Sequence, residues 1–148
     1  MSNILVTGGS GFIGSHIIEI LKEANHKVFN IDKIKSDFGD LYENIDISDS
    51  LQIEEFLKRN KIDYVYHIAA IANARRSLEN VYETMVNNVA GTASILNASA
   101  NSDVKKVILA STVWVYNAAD KKNGKKENGN IILDEKSKIL PECGGHFY

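Results

Sequence analysis

Apolar residues fall in short blocks separated by longer amphipathic stretches. Ile4, Leu5 and Val6 make the first block, and a second strand is expected over Lys27–Ile31. Further strands are expected over 43–47, 63–69 and 104–110. The block at 63–69 is almost continuously apolar, as suits a parallel strand covered on both faces. Between the blocks the period lengthens to that of a helix. Residues 15–24 form one such stretch, with Ile13, Ile17, Leu21 and Ala24 expected against a sheet and Asn25 as a left-handed cap. Ser48 or Asp49 can cap a second helix, whose apolar set is Leu51, Ile53, Phe56 and Leu57. A long helix is expected from 77 to about 100, with Met85, Val89, Ala93 and Leu96 as its buried stripe. Strand and helix alternate, which predicts an α/β fold with a doubly wound parallel sheet in the order 3-2-1-4-5.

The first joint in this alternation carries chemistry. Thr7-Gly8-Gly9-Ser10-Gly11-Phe12-Ile13-Gly14 follows the first strand and opens the first helix. Glycines there allow a tight turn, a close backbone approach to phosphate oxygens, and close packing of helix on strand. Gly9, Gly11 and Gly14 have the G-x-G-x-x-G spacing, and the strand–turn–helix context gives that spacing its meaning. The second strand ends at Asp32, 21 residues beyond Gly11. An acid there can accept hydrogen bonds from an adenosine ribose, and it favours NAD over NADP because a carboxylate repels a 2′-phosphate. Lys33 beside it weakens that preference slightly.

Composition narrows the picture. The 148 residues suit one domain, and 44% hydrophobic with 24% charged residues supports a packed core. A net charge of −2 gives no reason to expect nucleic acid. No apolar run is long enough for a membrane span, and Met1-Ser2-Asn3 leave no room for a signal peptide before the first strand. Cys143 is the one cysteine, and the histidines at 16, 26, 67 and 146 lack ligand spacing, so no metal site is expected. A cytoplasmic protein is expected. The region 117–130 is rich in lysine and asparagine and reads as an exposed mobile loop, with a short strand expected at 131–133.

Several further motifs occur in a fixed order: the glycine turn at 7–14, Asp32, Asp46-Ile47, His67-Ile68-Ala69-Ala70, Ser77-Leu78-Glu79-Asn80, Asn88-Val89-Ala90-Gly91-Thr92, and Ser111-Thr112-Val113-Trp114-Val115-Tyr116. Together they resemble the extended short-chain dehydrogenase/reductase family in its NAD-dependent sugar-nucleotide epimerase/dehydratase branch. The resemblance implies a Rossmann-type sheet truncated to about five strands, an NAD-binding domain over 1–116, and a charged loop and truncated tail over 117–148 without the C-terminal substrate domain. It implies that Gly8, Gly11, Phe12, Ile13 and Gly14 meet the pyrophosphate and that Asp32 meets the ribose. Asp46 and Ile47 would flank adenine, although they could simply end a strand. Ile68, Ala69 and Ala70 would form a wall beside the cofactor, and Asn88 would steady the site's backbone. Ser111 supplies a second hydroxyl. His67 is expected as a core histidine.

The resemblance makes Thr112 and Tyr148 the catalytic pair. Threonine would bond a reacting sugar oxygen, and tyrosine would take the substrate hydroxyl proton while NAD accepts hydride from the same carbon. The family's Tyr-x-x-x-Lys lysine would lie four residues past Tyr148, where this sequence stops. Tyrosine starts near a pKa of about 10, so the missing cation removes the help that phenolate needs. The expectation is therefore an NAD-binding N-terminal part of a nucleotide-sugar epimerase or dehydratase, inactive alone. The alternatives are half of a split enzyme completed in trans, a non-catalytic NAD-binding module, and a dehydrogenase or reductase acting on another alcohol. The partners to expect are a nucleotide sugar and either a complementing C-terminal half or a second copy in a homodimer.

Overall fold

The computed structural model describes residues 1–116, 125–128, 130–137 and 139. They fall into two units, 1–110 and 111–139. The first contains β1 (Asn3–Thr7), α1 (Phe12–Glu23), β2 (Lys27–Ile31), β3 (Leu41–Glu43), α2 (Ser50–Arg59) and β4 (Tyr64–His67). It continues through α3 (Ala74–Glu79), α4 (Val81–Met85), a π-helical turn (Val86–Ala90), α5 (Gly91–Ala100) and β5 (Lys106–Leu109). The five strands pair in parallel in the order β3-β2-β1-β4-β5, as the alternation predicts.

Side-chain alternation along each strand feeds two cores. Leu5, Phe29, Ile31 and Val65 point to one face and meet Ile53, Phe56 and Leu57 of α2 and Ile95 and Ala98 of α5. Val6 and Val28 point to the other and meet Ile18 of α1, with Ile17 and Leu21 partly buried beside them. Helices on both faces make the sheet doubly wound. Within α1 the residue at the centre of contact is Ile18, whereas Ile13 is 59% exposed. Asn25 takes a left-handed φ of 60° after α1, as expected of its position. Asp49, and not Ser48, caps α2 by accepting the Gln52 N–H at 3.0 Å.

Three expectations about the strands and the long helix of this unit are corrected. The third strand is Leu41–Glu43, not 43–47. Ile45 and Ile47 lie beyond it in the connection to α2, and their alternation reflects burial in the larger core without strand pairing. The long helix starts earlier, at Ala74 capped by Asn73, and breaks at Asn80, whose side chain caps α4 through the Glu83 N–H. Its buried stripe is also different. Ser77, Thr84, Gly91, Ile95, Ala98 and Ser99 are buried, while Met85, Val89 and Leu96 are 43%, 55% and 48% exposed and Ala93 is exposed as well. Polar residues can occupy that face because Ser77 and Thr84 donate their hydroxyls to the carbonyls of Asn73 and Asn80.

In the second unit, Val113–Tyr116 is a 3-10 turn, and Lys125–Glu127 pairs antiparallel with Asn130–Ile132. The loop expected over 117–130 therefore contains a strand at 125–127. The strand expected at 131–133 is shifted back by one residue.

Candidate dinucleotide site

At the carboxyl ends of β1, β2 and β4 lies a cavity of about 560 Å³. Parallel sheets place ligands there because strand order reverses at the middle. Gly8, Gly11, Phe12, Ile13 and Gly14 form one side of it. Gly8 has a φ of +71°, and a Cβ on it would stand 2.7 Å from the Ala69 Cα. Gly14 is pressed against the turn itself, so that a Cβ there would lie 2.8 Å from the Gly9 Cα and 2.9 Å from the Gly8 carbonyl carbon. No side chain caps the start of α1. The N–H groups of its first turn therefore have no partner within the helix, and the positive end of the helix dipole faces the cavity.

Asp32 borders the same cavity and is bonded to this turn. Its Oδ2 accepts the Ser10 N–H at 3.0 Å and its Oδ1 accepts the Ile34 N–H at 2.9 Å. Each oxygen retains a lone pair for a ligand hydroxyl. The backbone beneath is fixed as well. The Asp32 N–H donates to the Glu43 carbonyl, the Tyr42 hydroxyl donates to the Asp32 carbonyl at 3.1 Å, and the Asn44 amide donates to the Lys33 carbonyl at 3.0 Å. Ile45 and Ile47 line the same end. Asp46, between them, is not among the lining residues. Its Oδ1 accepts from the Ser48 N–H and hydroxyl, at 2.9 and 2.8 Å, and its Oδ2 holds the Lys33 ammonium at 2.9 Å. Burial opposes its charge, but the Ser48 and Lys33 bonds together hold the carboxyl below its ordinary value.

Ile68, Ala69 and Ala70 line the opposite wall, continued by Ile71 and Ala72. Asn88 does not reach the cavity. It accepts the Ile71 N–H at 2.8 Å and donates to the Ile71 carbonyl at 3.0 Å, clamping the wall from behind. His67 is buried beneath the same segment, and burial pushes its imidazole down to about 4. Thr7 Oγ1 already accepts the N–H groups of Ile68 and Ala69, so its proton goes to His67 Nδ1 at 2.7 Å. The other nitrogen, Nε2, then carries the histidine proton toward Thr92 Oγ1 at 3.0 Å, and Thr92 donates to the Asn88 carbonyl at 2.6 Å.

Lys33, Ile34, Arg76, Glu83 and Asn87 also line the cavity. Arg76 pairs with Glu83 at 2.8 Å. None of the five stood out in the sequence as a ligand contact. Lys33 had a signal in its place beside Asp32, whereas Arg76, Glu83 and Asn87 reach the site only through the turn after β4. Asn30 had none either. It is fully buried next to Gly9 and donates to Ser36 Oγ at 3.1 Å, joining β2 to the glycine turn and the loop after it.

Ser111 and Thr112 belong to the second unit, where the Thr112 carbonyl accepts the Val115 N–H at 3.3 Å. Tyr148 lies outside the described residues. Among the described residues no group of three or more His, Cys, Asp or Glu is placed to hold a metal, and no helix is long and apolar enough to cross a membrane.

A family model described as NAD dependent epimerase/dehydratase family matches residues 4–135. A UDP-glucose 4-epimerase of Halalkalibacterium halodurans is 33% identical over 118 residues, which cover 76% of this chain and 35% of that protein. The solved UDP-glucose 4-epimerase of Brucella ovis in complex with NAD superposes with a TM-score of 0.72 at 31% identity, covering 78% of this chain and 37% of that one. The Thermotoga maritima UDP-glucose 4-epimerase with UDP-glucose superposes with a TM-score of 0.70 at 33% identity, covering 77% and 39%. The chain thus spans little more than a third of the length of the proteins it matches.

Proposed function

The chain belongs to the NAD dependent epimerase/dehydratase family, and from that premise we propose that the cavity beside the glycine turn binds NAD as part of a nucleotide-sugar epimerase or dehydratase. One observation carries the reading: an uncapped helix start and a doubly anchored carboxylate line one cavity of about 560 Å³. A pyrophosphate fits the first, and a ribose diol fits the second. The close packing around Gly8 and Gly14 makes room for phosphate oxygens at the backbone itself.

In this reading the first-turn N–H groups hold the pyrophosphate and Asp32 holds the adenosine ribose. Ile45 and Ile47 give the adenine ring an apolar slot, with Asp46 at its edge. Ile68, Ala69 and Ala70 exclude water along the nicotinamide half, and Asn88 keeps their backbone in place. NAD supplies the hydride acceptor. Thr112, with Ser111 beside it, bonds the reacting oxygen of a nucleotide sugar, and Tyr148 holds the proton that leaves it. The reaction also requires a cation to favour the tyrosine phenolate. A polypeptide of these 148 residues therefore binds NAD without turning over a nucleotide sugar. A complementing C-terminal half that brings this cation would restore turnover, and a homodimer is the other partner in view.

Calorimetric titration of the 148-residue polypeptide with NAD tests the site. We expect saturable binding that Asp32→Ala weakens by roughly 10- to 100-fold, the value of hydrogen bonds to a charged group. If neither NAD nor any other adenine nucleotide binds, the reading fails. Conversion of UDP-glucose by the polypeptide alone would refute the second half of the proposal.

A further inference from the structure

Lys33 and Asp46 form an ion pair at the adenosine end of the cavity, and the structure gives each a reason to be there. The Lys33 backbone is fixed by Asn44 and by the bonds around Asp32, so only its side chain is free to choose a partner. That side chain lines the cavity, one residue from the carboxylate placed to take a ribose. A cation in this position would serve as the counter-charge for a phosphate on the ribose 2′-oxygen. It is turned to Asp46 instead, at 2.9 Å. Asp46 is held for that task, since Ser48 occupies its other oxygen with two hydrogen bonds.

We propose that Asp46 is a cofactor-specificity residue: by holding the Lys33 ammonium it denies NADP a counter-charge beside Asp32, and so keeps the site selective for NAD. The proposal rests on the NAD-site reading above. It assigns the discrimination to two residues acting together, where the carboxylate of Asp32 alone supplies only repulsion. The pair is about half exposed, 52% at the lysine and 46% at the aspartate, so its strength is that of a surface ion pair and Lys33 can be released by one substitution.

The test is a double-mutant cycle read as the ratio of NADP to NAD affinity, by calorimetric titration of the 148-residue polypeptide at low ionic strength. Any contact between Asp46 and adenine is common to both dinucleotides and cancels in the ratio. Asp46→Asn is expected to shift the ratio toward NADP by roughly two- to fivefold, the upper part of the range of a surface charge contact. Lys33→Ala alone is expected to leave the ratio unchanged, and Asp46→Asn with Lys33→Ala to abolish the shift. Added salt should shrink it. An unchanged ratio in Asp46→Asn overturns the proposal. So does a shift that persists without Lys33, which would reflect only the lost negative charge. If the unaltered polypeptide binds neither dinucleotide, the NAD-site reading fails and this proposal with it. NAD binding with an unresponsive ratio sinks the proposal alone.

Discussion

Replacing Gly14 by alanine sets two effects of opposite sign against each other. Gly14 is the third residue of α1, and alanine is the better helix former by up to about 1 kcal/mol. Propensity alone therefore predicts a more stable protein. The structure predicts the reverse. The new methyl would stand 2.8 Å from the Gly9 Cα and 2.9 Å from the Gly8 carbonyl carbon, with the Gly8 oxygen closer still. Carbon atoms in contact sit at about 3.5–4.0 Å, so the turn and the helix must part by at least roughly 0.7 Å. All three neighbours are backbone, so no side chain can swing away. Overpacking of this kind costs about 1–3 kcal/mol, which leaves a net loss of up to roughly 2 kcal/mol after the full helix gain. The same movement draws the first-turn N–H groups away from a bound pyrophosphate. Losing one charge-assisted hydrogen bond costs about 1.5–3 kcal/mol, or roughly 10- to 100-fold in NAD affinity. Urea denaturation gives the first quantity and NAD titration the second. Gly11→Ala is the control: its Cβ meets only the Gly8 oxygen, at 3.3 Å, and its stability cost should stay below about 1 kcal/mol. A Gly14→Ala protein as stable as the original, with undiminished NAD affinity, would refute the reasoning.

His67 and Asn88 give two more tests. The folded-state pKa of His67, about 4, lies below the ordinary 6.5. Above pH 6.5 the group is neutral folded and unfolded, and nothing is lost. As pH falls from 6.5 toward 4, the unfolded chain takes a proton that the folded one refuses, so stability drops by about 3 kcal/mol. His67→Gln should flatten the denaturation midpoint across that window, and a slope unchanged by the substitution would show that the histidine is not buried neutral. The carboxyls of Asp40, Asp46 and Asp63, lowered by their hydrogen bonds, lose their contribution only at more acid pH. Asn88→Ala strands both polar groups of the Ile71 backbone and should cost about 1–2 kcal/mol while weakening NAD several-fold. NAD affinity that survives this loss would remove Asn88 from any role at the wall.

The sheet was legible because its strands are covered on both faces, so that Leu5, Val6, Val28, Phe29 and Val65 read as near-continuous apolar blocks. The glycine turn was legible because backbone geometry admits nothing larger at Gly8 or Gly14. β3 was misplaced because Leu41 is 38% exposed at the sheet edge, while Ile45 and Ile47 just beyond are deeply buried without pairing. Hydrophobicity reports burial, and here burial and strand pairing part company. The stripe on the long helix failed for the converse reason. Until Ile95 and Ala98 its inward face is Ser77, Thr84 and Gly91, which carry little apolar signal, and Gly91 is small because a Cβ would stand 2.7 Å from the Ile47 Cδ1. Arg76, Glu83 and Asn87 join the cavity wall through tertiary folding, and no local spacing announces that.

The π-helical turn at Val86–Ala90 has a bearing on how this segment can vary. It holds one residue more than a regular turn would need to carry the chain across the same rise. Excising one residue there would let the helix close into regular geometry while the turns on either side keep nearly the same facing. Glu83 would stay near the cavity rim, and Ile95 and Ala98 would stay against the sheet. A shortened count is therefore absorbed at this turn, whereas the same deletion in α5 would swing one side of the helix by about 100° against the other.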